Sequence, residues 1–321
     1  MQLLKHAPNV EVEQASTFLA QNYGIYGELS YLPSERDQNF LVETKAYGKF
    51  VLKIANATED LTLLEAQNRA MLHLLGSGFC PQLVKTLSGS EIAMIRTTDN
   101  HHYSRVVKFI DGRPLAKVEH SANLLNDLGR KVGRLTAGLK DFDHPAFHRQ
   151  FHWDLKNGSQ VILENVSLLD DEQFKTRIAD FANLYERDVE PISVNLRRSV
   201  VHGDANDYNV IVRDEAVVGL IDFGDMVYSY TVADLAIALA YIVLDKEEPL
   251  AAAREVIAGF MAEFPLSEDE QKVLWPMTLM RLCMSACLAA FQERQRPDND
   301  YLSVSQQSIR NSLPGLLRLQ L

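Results

Sequence analysis

The stretch from Val200 to Asp225 limits what this chain can fold into more than any other part of it. It reads Val200-Val201-His202-Gly203-Asp204-Ala205-Asn206-Asp207-Tyr208-Asn209-Val210-Ile211-Val212, then Val217 to Leu220, then Ile221-Asp222-Phe223-Gly224-Asp225. Short β-branched runs bounded by Asp, Asn and Gly predict strands joined by tight turns, with a hairpin at Asp214-Glu215. The first strand delivers Asp204, the following loop delivers Asn209, and the last strand delivers Asp222. Strands packed on both sides would hold these three polar side chains at one rim. Phosphoryl transfer needs such a set: one carboxylate accepts a hydroxyl proton, while an Asn and a second carboxylate hold Mg2+ between nucleotide phosphates. Magnesium takes a few hard oxygen ligands and leaves its other positions to water and phosphate. Asp and Asn also dominate turns. A turn-only reading, however, leaves the ordered set His-x-Asp, Asn five residues on, then Asp-Phe-Gly unexplained.

Around this segment the chain changes character once. Leu29 to Leu32, Asn39 to Lys45 and Phe50 to Ile54 read as strands, with a turn at Ala46 to Lys49. Asp60 reads as the N-cap of a helix carrying Leu61, Leu64, Asn68, Met71 or Leu72, and Leu75, ended by Gly76-Ser77-Gly78. Two more strands are expected at Glu91 to Arg96 and Arg105 to Ile110, joined by the loop Thr97 to His102. Asp111-Gly112-Arg113-Pro114 then breaks the pattern and marks the expected boundary between residues 1–111 and 112–321. Beyond it, Ser121 caps a stripe of Leu124, Leu128, Val132, Leu135 and Leu139. Asp171 to Glu186 is a second helix, and Ser267-Glu268-Asp269-Glu270 is a capping box opening a long helix towards Arg294. The expected class is α+β: a small antiparallel sheet with one helix, then a larger, mainly helical domain.

Composition enters chiefly to exclude. With 321 residues, the chain exceeds the ~250–300 at which one core stops growing. Its 46% hydrophobic and 23% charged content is that of an ordinary globular protein. A net charge of −11 argues against a broad nucleic-acid surface, which needs a basic face. Solubility is the plain account of that charge, and a cationic substrate is compatible with it. Cys80, Cys283 and Cys287 are too few for a disulfide scaffold and read as small buried hydrophobes. Met1 to Val10 has no signal-peptide core, and Leu235 to Leu244 is half of the ~20 apolar residues a membrane span needs. A soluble, cytoplasmic protein without membrane or nucleic-acid partners is expected, its oligomeric state open. No P-loop, dinucleotide-binding or nucleophile-elbow motif is present in the sequence.

His202-Gly203-Asp204, Asn209 and Asp222-Phe223-Gly224 together resemble the aminoglycoside phosphotransferase and choline kinase superfamily, whose middle glycine replaces the Arg of protein kinases. The resemblance extends to Asp234-Leu235-Ala236 and covers about residues 25 to 245. It implies a bilobal kinase-like fold, a small antiparallel-sheet N-lobe before a mainly helical C-lobe, with nucleotide near Asp111 to Leu115. It also implies Mg2+-dependent transfer from ATP or GTP to a small-molecule hydroxyl. Asp204 would then be the catalytic base, and Asn209 and Asp222 the metal ligands. Asp234 would cap its helix and brace the catalytic loop, and His202 would prop that loop. Lys53, in Val51-Leu52-Lys53-Ile54, resembles the lysine that contacts the α- and β-phosphates, with Glu65 its ion-pair partner. Taken alone, Lys53 reads equally as a solvent-facing strand lysine, and Glu65 as a surface partner of Arg69. The place of the Gly-rich loop is taken by Leu32-Pro33-Ser34-Glu35-Arg36-Asp37-Gln38-Asn39-Phe40. Without glycine, the phosphate grip must come from Ser34, Arg36 or backbone amides. This loop resembles the hydroxylysine kinase branch, close to homoserine-kinase-like enzymes.

Other constellations carry less. His144, His148 and His152 lie four apart, but no Glu completes a zinc motif. Trp153 beside Asp154 suits an ammonium ligand by cation–π contact, or equally a packed helix junction. Asp207 is a further substrate candidate. Arg281 and Arg294 could meet a substrate carboxylate, but a solvated helix face is the preferred reading. The expected acceptor is an amine-bearing alcohol, hydroxylysine-like first and homoserine-like next. Choline, aminoglycosides and sugars are the alternatives within the superfamily, and a catalytically silent nucleotide-binding member is the alternative from another class.

Overall fold

The computed structural model describes residues 6–34, 36–97, 100–295 and 305–321, and the chain divides into two compact units, Met1–Asp111 and Gly112–Leu321. The first unit contains α1 (Val12–Tyr23), β1 (Glu28–Leu32), β2 (Gln38–Glu43), β3 (Lys49–Ile54), α2 (Leu61–His73), β4 (Leu83–Val84), β5 (Ala93–Arg96) and β6 (His101–Lys108). The strands pair antiparallel in the order β1-β2-β3-β6-β4, with β5 also on β6. Alternation sorts the side chains of β3: Phe50, Leu52 and Ile54 are buried, and they pack with Phe40, Val42 and Val106 on one face. Covering that face is α1, through Ala15, Phe18, Leu19 and Tyr23. The expected single helix is therefore two. The stripe at Ala15, Phe18 and Leu19, closed by Gly24 in a left-handed cap (φ +65), was the available signal. The expected cap at Asp60 forms, accepting from Thr62 N at 2.8 Å. Strand β6 starts at His101, four residues earlier than expected, because the His102 ring turns inward and its Nδ1 meets Ala55 O at 3.0 Å.

The second unit contains β7 (Arg113–Pro114), α3 (Ala122–Leu139), α4 (Gly158–Asn165), α5 (Glu172–Asp188), α6 (Glu190–Ser193), β8 (Arg198–Val201), β9 (Val210–Arg213), β10 (Ala216–Leu220), β11 (Val227–Tyr230), α7 (Ala233–Ile242), α8 (Pro249–Glu263), α9 (Glu268–Gln295) and α10 (Gln306–Leu316). The expected cap at Ser121 forms, its Oγ accepting from Leu124 N at 3.2 Å, and Asp171, expected as the first residue of its helix, caps it instead, Oδ1 accepting from Phe174 N at 2.9 Å. The capping box closes both ways, Glu270 N to Ser267 Oγ at 3.2 Å and Ser267 N to Glu270 Oε2 at 2.9 Å. Helices α3 and α8 touch backbone to backbone, since a Cβ on Gly129 would lie 1.9 Å from Val256 O and one on Gly259 2.0 Å from Asn126 O. Strands β10, β9 and β7 form one small sheet, and β11 pairs with β8 in another. The β9–β10 hairpin turns at Asp214 and Glu215, both with positive φ (51° and 57°), as a two-residue primed turn requires. Strand β11 was not anticipated. The long helix expected towards Arg294 forms; among the described residues, Glu268–Arg294 is long and apolar enough to cross a membrane, and its apolar window is 94% buried, as in a core helix.

Candidate active site

Strand β8 ends at Val201, and the chain then makes a loop that cannot be built without glycine. Gly203 has φ +81, and a Cβ there would stand 2.5 Å from the Asp225 carbonyl oxygen. The loop that carries Asp204 and the Phe223–Asp225 turn thus lie in direct backbone contact. The loop is tied down by Asp234, whose Oδ2 accepts from His202 N at 3.0 Å and Oδ1 from Gly203 N at 2.9 Å. Asp234 sits in the first turn of α7 and does not cap it; the N-cap position is Val232, without a side-chain bond. Its oxygens are committed to the loop, and burial pushes its carboxyl up to about 6. His202 is fully buried. Its Nδ1 accepts from Asp204 N at 3.3 Å, and its ring meets Phe223 edge-on at 4.7 Å. The histidine therefore joins the two loops.

Asp204 is held at both oxygens. Oδ1 accepts from Arg281 Nη2 at 2.8 Å and from Asn206 Nδ2 at 2.9 Å; Oδ2 accepts from Asn209 Nδ2 at 2.7 Å. Burial pushes the Asp204 carboxyl up to about 7, opposed by the Arg281 guanidinium and reinforced by Asp225 and Asp222. Asn209 Nδ2 also donates to Asp204 O at 2.9 Å, which fixes the amide and leaves Oδ1 as its ligating atom. Asn209 O accepts from Ile221 N at 2.9 Å, so the loop sets the strand immediately before Asp222. Asp222 is left-handed (φ 64°, ψ 75°), a strained conformation for a residue with a Cβ. An amide oxygen left over from the two Nδ2 bonds and a carboxylate are hard-oxygen donors, so Asn209 and Asp222 suit by chemistry a divalent cation such as Mg2+.

Arg281 departs from the solvated face preferred on sequence. It is 2% exposed, projecting from α9 onto Asp204, with Nε donating to Tyr241 Oη and Nη1 to Trp153 O, both at 3.4 Å. Its guanidinium stacks over the Trp153 ring at 4.4 Å. The face of Trp153 considered for an ammonium ligand thus already carries a cation of the chain itself. Asp154 is likewise corrected. At 3% exposed it is a brace, accepting from Ser229 Oγ at 2.5 Å and ion-paired with Lys156 at 3.1 Å. Asp207 lies against the Leu115–Lys117 turn, its carbonyl accepting from Ala116 N at 2.9 Å. Burial pushes its carboxyl up to about 6, against the pull of Lys117. Arg294 is exposed and donates to Leu168 O at 3.0 Å.

In the first unit, Lys53 stands in register with Asn39 of β2 and Arg105 of β6. Residues paired across strands point to one face, so these three form a polar row. Arg105 donates to Asn68 Oδ1 at 3.0 Å and Gln67 Oε1 at 2.7 Å of α2. Glu65 lies on the exposed side of α2, beside Leu61, Glu91 and Tyr103. No ion pair joins it to Lys53 among the described residues. The inward-facing polar residues of α2 are Gln67 and Asn68, and they hold Arg105. Ser34 and Arg36 lie in the β1–β2 connection. Asn56 ties that connection down: its N donates to Asp37 Oδ1 at 3.0 Å and its Nδ2 to Arg36 O at 3.4 Å. Glu35 lies outside the described residues.

Residues 28–266 match the family model described as "Phosphotransferase enzyme family". The chain is 29% identical to the hydroxylysine kinase of Mus musculus over 322 residues, covering 91% of this chain and 85% of that protein. Its fold is similar to that of a microcompartment-associated aminopropanol kinase (TM-score 0.76, 16% identity, 97% of this chain and 100% of that one). It is also similar to an amicoumacin kinase in complex with AMP-PNP, Ca2+ and Ami (TM-score 0.69, 16% identity, 94% of this chain and 93% of that one).

Proposed function

The chain belongs to the phosphotransferase enzyme family, and from that premise we propose that it transfers the γ-phosphoryl group of ATP or GTP to the hydroxyl of an amino acid or amino alcohol. Hydroxylysine-like acceptors come first and homoserine-like acceptors next. Supporting that acceptor class are the hydroxylysine kinases, to which the chain is 28–29% similar by identity over more than nine-tenths of its length. One observation carries the chemistry: the Asp204 carboxylate is clamped by Arg281, Asn206 and Asn209, while Oδ2 keeps a lone pair for an incoming hydroxyl.

In the reaction, the acceptor hydroxyl donates to Asp204 Oδ2 and is aimed at the γ-phosphorus. As the new O–P bond forms and the bond to the β-phosphate oxygen breaks, the hydroxyl proton passes to Asp204. Arg281 favours the charged carboxylate against burial. Asn209 Oδ1 and Asp222 are the residues that would hold Mg2+, which when bound offsets charge on the phosphates. Asp234 and His202 fix the loop that presents Asp204. Lys53, Ser34 and Arg36 are assigned to phosphate binding, without Glu65 as a partner. Incubating the protein with MgATP or MgGTP and a panel of hydroxylysine, homoserine, simple amino alcohols, choline, aminoglycosides and sugars tests the proposal. Phosphorylated hydroxylysine or amino alcohol is the expected product. Nucleotide binding without transfer to any acceptor would instead identify a silent binding member.

A further inference from the structure

The loop between α3 and α4 contains an arginine that grips the turn immediately after Asp222. Arg149 Nη2 donates to Gly224 O and to Met226 O, both at 3.0 Å. One amino group with two N–H bonds therefore ties together carbonyls on either side of Asp225. The guanidinium is itself seated, its carbon 4.4 Å from the centre of the Phe151 ring. Phe151 in turn packs against Val201 and Val227, the residues that lead into the catalytic loop and out of the metal loop. The same chain segment follows β11 further. His148 stacks on Tyr228 at 4.3 Å, and Lys156 Nζ donates to Tyr228 O at 3.0 Å.

The gripped turn has two neighbours that matter. Immediately before it stands Asp222, in its strained left-handed conformation. Beneath it lies Gly203, so close to Asp225 O that no Cβ fits between them. A displacement of the turn would move a metal-ligand carboxylate and loosen the floor of the catalytic loop together. We propose that Arg149 is a positioning residue: by holding Gly224 O and Met226 O it keeps Asp222 preorganised for the divalent cation and nucleotide. It acts through the turn and leaves the acceptor untouched. Outer-shell groups of this kind set ligand orientation in metal sites and are worth about 10–100-fold in metal affinity.

The inference rests on the kinase reading, but its test does not need turnover. Mn2+–AMP-PNP binding to the full-length protein is measured by titration calorimetry for the wild type, Arg149→Met and Arg149→Lys. The expected result is an approximately tenfold or greater weakening in Arg149→Met, with recovery to within about threefold in Arg149→Lys, which restores charged donors. Wild-type melting behaviour and an unchanged acceptor KM are expected beside a lowered kcat. Equal affinity for Mn2+–AMP-PNP in folded wild type and Arg149→Met would overturn the inference. So would a lowered melting temperature with unchanged affinity, which would make Arg149 a folding residue only. If Arg149→Met does not fold, Arg149→Gln, with a neutral two-hydrogen donor, is read in the same way. A wild type that binds Mn2+–AMP-PNP but phosphorylates nothing overturns the acceptor proposal and leaves the Arg149 comparison intact.

Discussion

Replacing Gly203 by alanine adds one methyl group where two loops meet, and the structure allows its effect to be worked out in parts. The first is backbone strain. Gly203 has φ +81, and a Cβ in the left-handed region costs about 1–2 kcal/mol. The second is overlap. The new Cβ would stand 2.5 Å from Asp225 O, about 0.9 Å inside the 3.4 Å at which ordinary contact begins. The obstacle is backbone, so the turn itself must move, at a further cost of about 1–3 kcal/mol. Gly48 supplies the control, because it has the same φ of +81 and nothing within 4 Å of its Cβ position. Gly48→Ala carries strain alone. Urea unfolding of both variants should therefore show a loss of about 1–2 kcal/mol for Gly48→Ala and about 2–5 kcal/mol for Gly203→Ala. Shifting Asp204 and Asp222 by much of an ångström should also lower kcat by roughly 100-fold in Gly203→Ala, with Gly48→Ala near wild type. A Gly203→Ala protein no less stable than Gly48→Ala, or one with full kcat, would refute the contact between the loops as the reason for glycine.

Three more outcomes follow from the same geometry. Gly129→Ala or Gly259→Ala should push α3 from α8 and destabilise the second unit by at least ~2 kcal/mol in urea unfolding, since each Cβ would lie within 2.0 Å of a facing carbonyl oxygen. Arg281→Met leaves Asp204 buried without its counter-charge. Breaking such a pair costs about 3–5 kcal/mol, and the acid limb of kcat, set by a carboxyl near 7, should move to higher pH, with Arg281→Lys in between. Asp234 is raised from 3.8 to about 6, so the fold binds its proton more tightly than the unfolded chain does. Its contribution is complete below pH 3.8 and is lost as pH rises to about 6, on the order of 2–3 kcal/mol. Asp234→Asn should flatten the dependence of unfolding free energy on pH in that window, and an unchanged slope would count against the assignment.

That the candidate residues come together was legible because they lie along one short run of chain. His202, Gly203, Asp204, Asn209 and Asp222 meet through local turns and one hairpin, and turn residues announce themselves. Helix α1 was not anticipated, although Ala15, Phe18 and Leu19 mark its buried stripe. What sequence could not supply are contacts made at long separation. Arg281 reaches Asp204 across 77 positions, Ser229 reaches Asp154 across 75, and Arg149 reaches Gly224 across 75. A lone arginine on a helix reads as solvated until tertiary packing places it. The same limit explains Glu65. Spacing put it on the helix after Lys53, but only packing decides that Gln67 and Asn68 face the sheet and hold Arg105.

The proposed reaction turns on Asp204 taking the hydroxyl proton of an amine-bearing acceptor as that oxygen receives the γ-phosphoryl group of a nucleoside triphosphate. Its most direct test follows phosphorylated hydroxylysine by phosphorus NMR, with wild type and Asp204→Asn at equal concentration in MgATP and then in MgGTP. The account expects a new phosphomonoester signal with the wild type, and a rate lower by roughly 100-fold or more with Asp204→Asn at undiminished nucleotide affinity. A wild type that forms no phosphomonoester on hydroxylysine or any other amino alcohol, or an Asp204→Asn protein that turns over at the wild-type rate, would contradict it.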